Sequence, residues 1–107
     1  MAPITRFAAF KYKPGTIDVQ KRQVLDIIVK LYEENARMIN YGPFGGKNNN
    51  PGGHDKGFDI GFTVEFKSKE CRDEFNADEK HAQYIMAIRD ILEDVFIYDF
   101  ERGDYGY

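Results

Sequence analysis

Apolar and polar positions alternate most strictly in "FDIGFTVEF", residues 58–66, where Phe58, Ile60, Phe62, Val64 and Phe66 fall on one face and Asp59, Gly61, Thr63 and Glu65 on the other. A period of two over nine residues predicts a strand with one buried face. Residues 4–13, "ITRFAAFKYK", carry apolar groups at both parities, with Ile4, Ala8, Phe10 and Tyr12 on one face and Phe7 and Ala9 on the other, before the turn signal Pro14-Gly15. This predicts a strand covered on both sides. From about residue 18 the period changes. Val24, Ile27, Ile28 and Leu31 recur at the i, i+3, i+4, i+7 spacing of an amphipathic helix over 18–36, which Thr16 or Asp18 can cap.

The segment "RMINYGPFGG", 37–46, predicts a short extended piece in which Pro43 belongs on an edge or bulge, because proline cannot donate to a ladder. Residues 45–57, "GGKNNNPGGHDKG", read as a flexible polar loop. Ser68 can cap a short helix running through Phe75, and Asp78 a second helix of 79–92. "DVFIYDFE", 94–101, closes the chain as a strand, followed by a tail at 102–107.

The order β-α-β-β-α-β predicts an α+β fold, the ferredoxin-like plait, with both helical segments on one sheet face. The other face then needs a cover. Phe96, Ile97, Tyr98 and Phe100 load both faces of the last strand, and Phe7 with Phe10 does the same in the first, so a lone subunit would expose an apolar sheet face. Pairing of two copies through their sheets removes it, and a homodimer is expected.

A chain of 107 residues has room for one domain, 1–107. The net charge of −3 is spread along the sequence, so no basic face is available to displace counterions from a nucleic acid. The apolar runs are too short to span a bilayer, and "MAPITRF" lacks the order of a signal peptide, so a cytoplasmic protein without membrane contact is expected. Cys71, the single cysteine, lies four residues before Phe75 on the same helical face and reads as a small buried apolar group.

Two motifs are weighed and set aside. His54, Asp55 and Asp59 match no metal-ligand spacing, and no metal or other cofactor is expected. "GPFGGK" lacks the register of a phosphate loop and leads into no helix.

The stretches "FAAFKYKPGT", "DKGFDIGFTVEFKSKE", "KHAQYI" and "LEDVFIYDFE" resemble, in order and spacing, the stress-responsive A/B barrel domain family, of the dimeric α/β-barrel superfamily. The resemblance covers nearly the whole chain and implies a homodimer whose two four-stranded sheets form a barrel. Its enzymes include polyketide cyclases of the olivetolic acid type, which close a linear chain by aldol chemistry. Their helix-start histidine, which takes a proton next to a carbonyl, resembles His81. Their other polar positions fall here on Phe75, Ile60 and Ile28, which are apolar. The resemblance therefore implies an apolar pocket lined by Ile28, Ile60, Phe75, Tyr84 and Ile85, with His81 as the one carried-over catalytic candidate.

His81 shares a helical face with Ile85, Ile88 and Leu92, so it points toward the interior. Tyr12, Tyr41 and Tyr84 are candidates to replace the missing hydroxyl. The expected function is a homodimeric domain binding a small apolar or aromatic ligand between sheet and helices. The alternative is a cofactor-independent cyclase, isomerase or monooxygenase with His81 as general base.

Overall fold

The computed structural model describes residues 2–107. Its elements are β1 (Ile4–Tyr12), α1 (Asp18–Glu34), β2 (Ile39–Lys47), β3 (Ile60–Phe66), α2 (Lys69–Ala77), α3 (Glu79–Ile88) and β4 (Leu92–Phe100), with one 3-10 turn at Ala36–Met38. The strands form one antiparallel sheet in the order β2-β3-β1-β4, the ferredoxin-like arrangement.

The register explains the packing. Ala8 pairs with Phe62 and Ile97, and Arg6 with Val64 and Asp99, so the even parity of β1 meets the apolar parity of β3 on the face beneath the helices. There Ala8, Phe10, Phe62, Val64 and Phe66 pack against Val24, Ile28, Leu31 and Tyr32 of α1, Phe75 of α2 and Ile88 of α3. Burying one such large side chain stabilises the fold by about 1.5–3 kcal/mol. The opposite parity builds the outer face. Phe7, Phe96, Tyr98 and Phe100 stand there in a row and touch, with Phe96 and Tyr98 stacked at 6.2 Å between ring centres.

The capping expectation for α1 is corrected. Its N-cap is Ile17, whose backbone N–H donates to Gln20 Oε1 at 3.0 Å, while Asp18 is already helical and Thr16 Oγ1 donates to Lys13 O at 2.6 Å. Thr16 thus closes the Pro14-Gly15 turn, which removes it from the cap. Ser68 caps α2 by accepting from Cys71 N at 3.1 Å, and Asp78 caps α3 by accepting from Lys80 N at 3.2 Å. Cys71 is half-buried against the core.

Three boundaries differ from the sequence reading. β2 runs through to Lys47 as a full edge strand, so the loop begins at residue 48 rather than 45. The register with β3 shifts on either side of Tyr41, and the Gly42-Pro43 bond is cis. Gly42 has φ +102°, and a Cβ there would lie 2.7 Å from Thr63 O, so glycine is required by both conformation and space.

β3 starts at Ile60, not Phe58. Asp59 fixes the crossing, its Oδ2 accepting from Tyr12 N at 2.7 Å, and Phe58 is turned onto the outer face beside Phe96. α3 stops at Ile88. Ile91 then donates its N–H to Ile88 O and accepts from Lys13 N at 2.9 Å, which draws the chain into the sheet, so Leu92 opens β4 instead of extending the helical stripe. Ile88, Ile91 and Leu92 keep helical spacing only because turn and strand happen to bury the same side chains.

Candidate active site

α1 and α3 do not fill the space above the β1–β4 half of the sheet. A cavity of about 620 Å³ remains between them. Its walls are apolar: Phe10 and Phe62 from the central strands, Ile28 and Leu31 from α1, Ile85 from α3, and Leu92, Val95 and Ile97 from β4. Val95 and Ile97 are 46% and 47% exposed although they point to the helical side, because α3 is too short to reach over them. They form the lip of the cavity. Arg89, Glu93 and Asp94 stand at the same exposed rim.

The polar groups lie deeper. His81 is the third residue of α3, placed by the Asp78 cap so that its ring lines the cavity and meets Phe75 edge-on, 5.1 Å between centres. Burial lowers the pKa of this imidazole below 6.5, the positive charge of Arg6 lowers it further, and Asp78 opposes both only in part. His81 is therefore neutral at physiological pH and has a lone pair to offer.

Arg6 lies on the inner parity of β1 and is 5% exposed. Its Nε and Nη2 donate to Asp99 Oδ1 and Oδ2 at 2.8 and 2.9 Å, a bidentate pair, and Arg72 Nη1 adds a 3.2 Å bond to Oδ2. Burial pushes the Asp99 carboxyl up, yet the two guanidinium groups hold it below its ordinary value. The Arg6 guanidinium sits 5.1 Å from the centre of the Phe66 ring and 6.0 Å from that of Phe75. Tyr32 also lines the cavity, its ring stacked on Phe75 at 4.8 Å. Burial raises the pKa of its phenol, outweighing the pull of Arg6, so the hydroxyl stays protonated.

The structure thus brings Ile28, His81 and Ile85 to one cavity, with Phe75 fully buried directly behind His81. It does not bring Ile60 or Tyr84 there. Ile60 lines a second depression of about 490 Å³ between α1 and β2–β3, on the other side of Ile28 and Phe62, which line both. Tyr84 turns toward the C-terminal end of α1, where it hydrogen-bonds Glu34 and lies under Lys30. Of the other two tyrosines, Tyr12 lies under Lys21 beside the second depression, and Tyr41 stacks on Phe44.

Arg6, Asp99 and Tyr32 were not expected from the sequence. Their signal is one of parity: a charge at the inner position of each of two neighbouring strands, and a tyrosine four residues after Ile28 on the buried stripe of α1. His54 sits in the loop at the outer face, where Asp55 is held by Asn48 and by Gly57 N. Among the described residues no three His, Cys, Asp or Glu side chains converge as metal ligands. No helix there is long and apolar enough to cross a membrane.

A four-stranded ferredoxin-like sheet with helices on one face and exposed aromatic side chains on the other defines an α+β domain. The stress responsive A/B barrel domain matches residues 4–102, and the chain belongs to that family. No curated protein matches it by sequence. Among solved structures it is similar to a protein from Arabidopsis thaliana, with 17% identity over 97% of this chain and 99% of that one and a TM-score of 0.84. A hydroxynitrile lyase from Passiflora edulis is 13% identical over 96% of this chain and 95% of that one, also with a TM-score of 0.84. A dimeric ferredoxin-like protein from Thermobifida fusca is 17% identical over 94% and 91%, with a TM-score of 0.73. Several of the similar structures are described as dimeric.

Proposed function

We propose that the chain acts as a cytoplasmic homodimer that binds a small, mostly apolar molecule in the cavity between its sheet and helices, without a cofactor. The observation that carries this reading is the 620 Å³ cavity itself, walled by aliphatic and aromatic side chains with a few polar groups at its buried end. Its volume lies within the range of about 300–1,000 Å³ usual for small-molecule sites. The homodimer is supported by the uncovered outer face and by the dimeric description of similar folds.

Titration calorimetry against linear polyketide thioester mimics and alkylphenols tests the reading. Binding by the wild type that weakens at least roughly tenfold in Ile97→Trp, which fills the cavity mouth from a half-exposed strand position, is the expected result. Absence of binding by every probe at millimolar concentration overturns it.

A second reading, a cofactor-independent enzyme with His81 as general base, is favoured by the neutral imidazole in the cavity wall. It draws further support from a hydroxynitrile lyase of the same fold. Turnover of a probe that falls by roughly 10²–10⁴-fold in a stably folded His81→Gln variant is its expected sign. Equal turnover in both proteins excludes it.

A further inference from the structure

The three polar groups at the buried end of the cavity are arranged around one ring. Phe75 has Tyr32 stacked on it at 4.8 Å, His81 against it at 5.1 Å and the Arg6 guanidinium at 6.0 Å, and all three side chains also line the cavity. Phe75 is fully buried, and Arg6 acts electrostatically on both Tyr32 and His81, so the three groups are neighbours in one cavity wall. We propose that Arg6, Tyr32 and His81 form an oxyanion-binding corner, and that the ligand is an apolar molecule bearing one anionic oxygen group, a carboxylate or an enolate.

The unused hydrogen-bonding capacity of the corner supports this. Asp99 engages Nε and Nη2 of Arg6 while leaving Nη1 outside the pair, and Arg72, which adds a bond to the same carboxylate, has its own counter-ion in Asp73 at 2.7 Å, so the cluster as a whole is neutral. Both oxygens of Asp99 are occupied, and Asp99 does not line the cavity. The carboxylates that do, Glu93 and Asp94, stand exposed at the rim on β4, where Glu93 lies 3.9 Å from Lys11 Nζ. Tyr32 supplies a phenolic O–H that burial keeps protonated beside the Arg6 guanidinium, and a hydrogen bond to an anion is strengthened by low local dielectric. Neutral His81 can donate from one ring nitrogen.

This inference rests on the cavity being a ligand site, so the test separates the two. Octanoate, 1-octanol and octylamine, which share one apolar chain, are titrated into the full-length wild type and Tyr32→Phe proteins at pH 7.5, with thermal melts run alongside. Octanoate is expected to bind at least roughly tenfold tighter than octanol, with octylamine weakest. Tyr32→Phe keeps the stacked ring and is expected to weaken octanoate roughly tenfold while leaving octanol within about twofold. Equal affinity for octanoate and octanol overturns the oxyanion corner and leaves the cavity reading intact. Equal weakening of both probes in Tyr32→Phe overturns it as well, since that is the mark of a packing role. Binding of none of the three probes removes both readings.

Discussion

The two faces of the sheet are built from the same four strands and follow opposite rules. On the inner face Phe62, Val64 and Phe66 disappear under the helices, and the charges that share the face, Arg6 and Asp99, are joined in a bidentate pair. On the outer face Phe96 and Tyr98 are 45% and 57% exposed beside Phe7 and Phe100, with no helix above them. Apolar surface alone therefore does not distinguish a core from an interface; what covers it does. β4 belongs to both regions, since Val95 and Ile97 rim the cavity while Phe96 and Tyr98 project to the other side. A single strand ties the cavity to the exposed aromatic face.

The strongest way to break this contrast is to charge the outer face. Phe96→Arg removes an aromatic group from each copy and sets two cations across a two-fold contact, weakening dimerisation by about 4–6 kcal/mol, roughly 10³–10⁴-fold. Sedimentation equilibrium at micromolar concentration should show the wild type at twice the chain mass and the variant at the chain mass. A wild type that is already monomeric would refute the role given to the outer face.

On the inner face the corresponding attack is on the ion pair. Asp99→Ala leaves Arg6 buried without its counter-ion and should cost about 3–5 kcal/mol in urea unfolding. The double variant Arg6→Met with Asp99→Leu should recover most of that loss, because it removes both charges and keeps apolar volume. If Asp99→Ala costs under about 1 kcal/mol, the pair is solvated and the inner face is less closed than its geometry indicates.

The contrast also separates what was legible in the sequence from what was not. The inner parity of β3 and the stripe of α1 were legible, since Phe62, Val64, Phe66, Val24, Ile28 and Leu31 are all buried where their periods put them. β2 was only half legible. Its glycines and Pro43 carry loop chemistry, and glycine at 42 is demanded by backbone approach to β3, which no local pattern encodes. Phe58 kept the period but lost the face, because Asp59 bonds across to Tyr12 and breaks the strand there. In the site, His81 could be found from its helical stripe. Arg6 could not, because a charge at an inner position is explained only by its partner 93 residues away, and Tyr32 was absorbed into an apolar stripe as one more core residue.

The smallest expected effect comes from pH and sets the cavity against the aromatic row, since Phe7, Phe96 and Phe100 have nothing to protonate whereas the cavity wall holds His81. Its folded pKa lies below the unfolded value near 6.5. Between the two values the unfolded chain binds more protons, so stability rises with pH across that window and is complete above about pH 6.5. As pH falls from there through the folded value the contribution is lost, with a slope of at most about 1.4 kcal/mol per pH unit for one group. Asp99 acts in a separate, more acidic window, because its folded carboxyl titrates below 3.8 and its contribution disappears only as pH drops through that lower value. Urea unfolding of wild type and His81→Gln at one fixed protein concentration, at pH 7.5, 6.5 and 5.5, resolves the first window from the second. The wild type should lose stability between pH 6.5 and 5.5 and the variant should lose less; identical slopes would mean that His81 titrates alike in both states and that the buried end of the cavity is open to water.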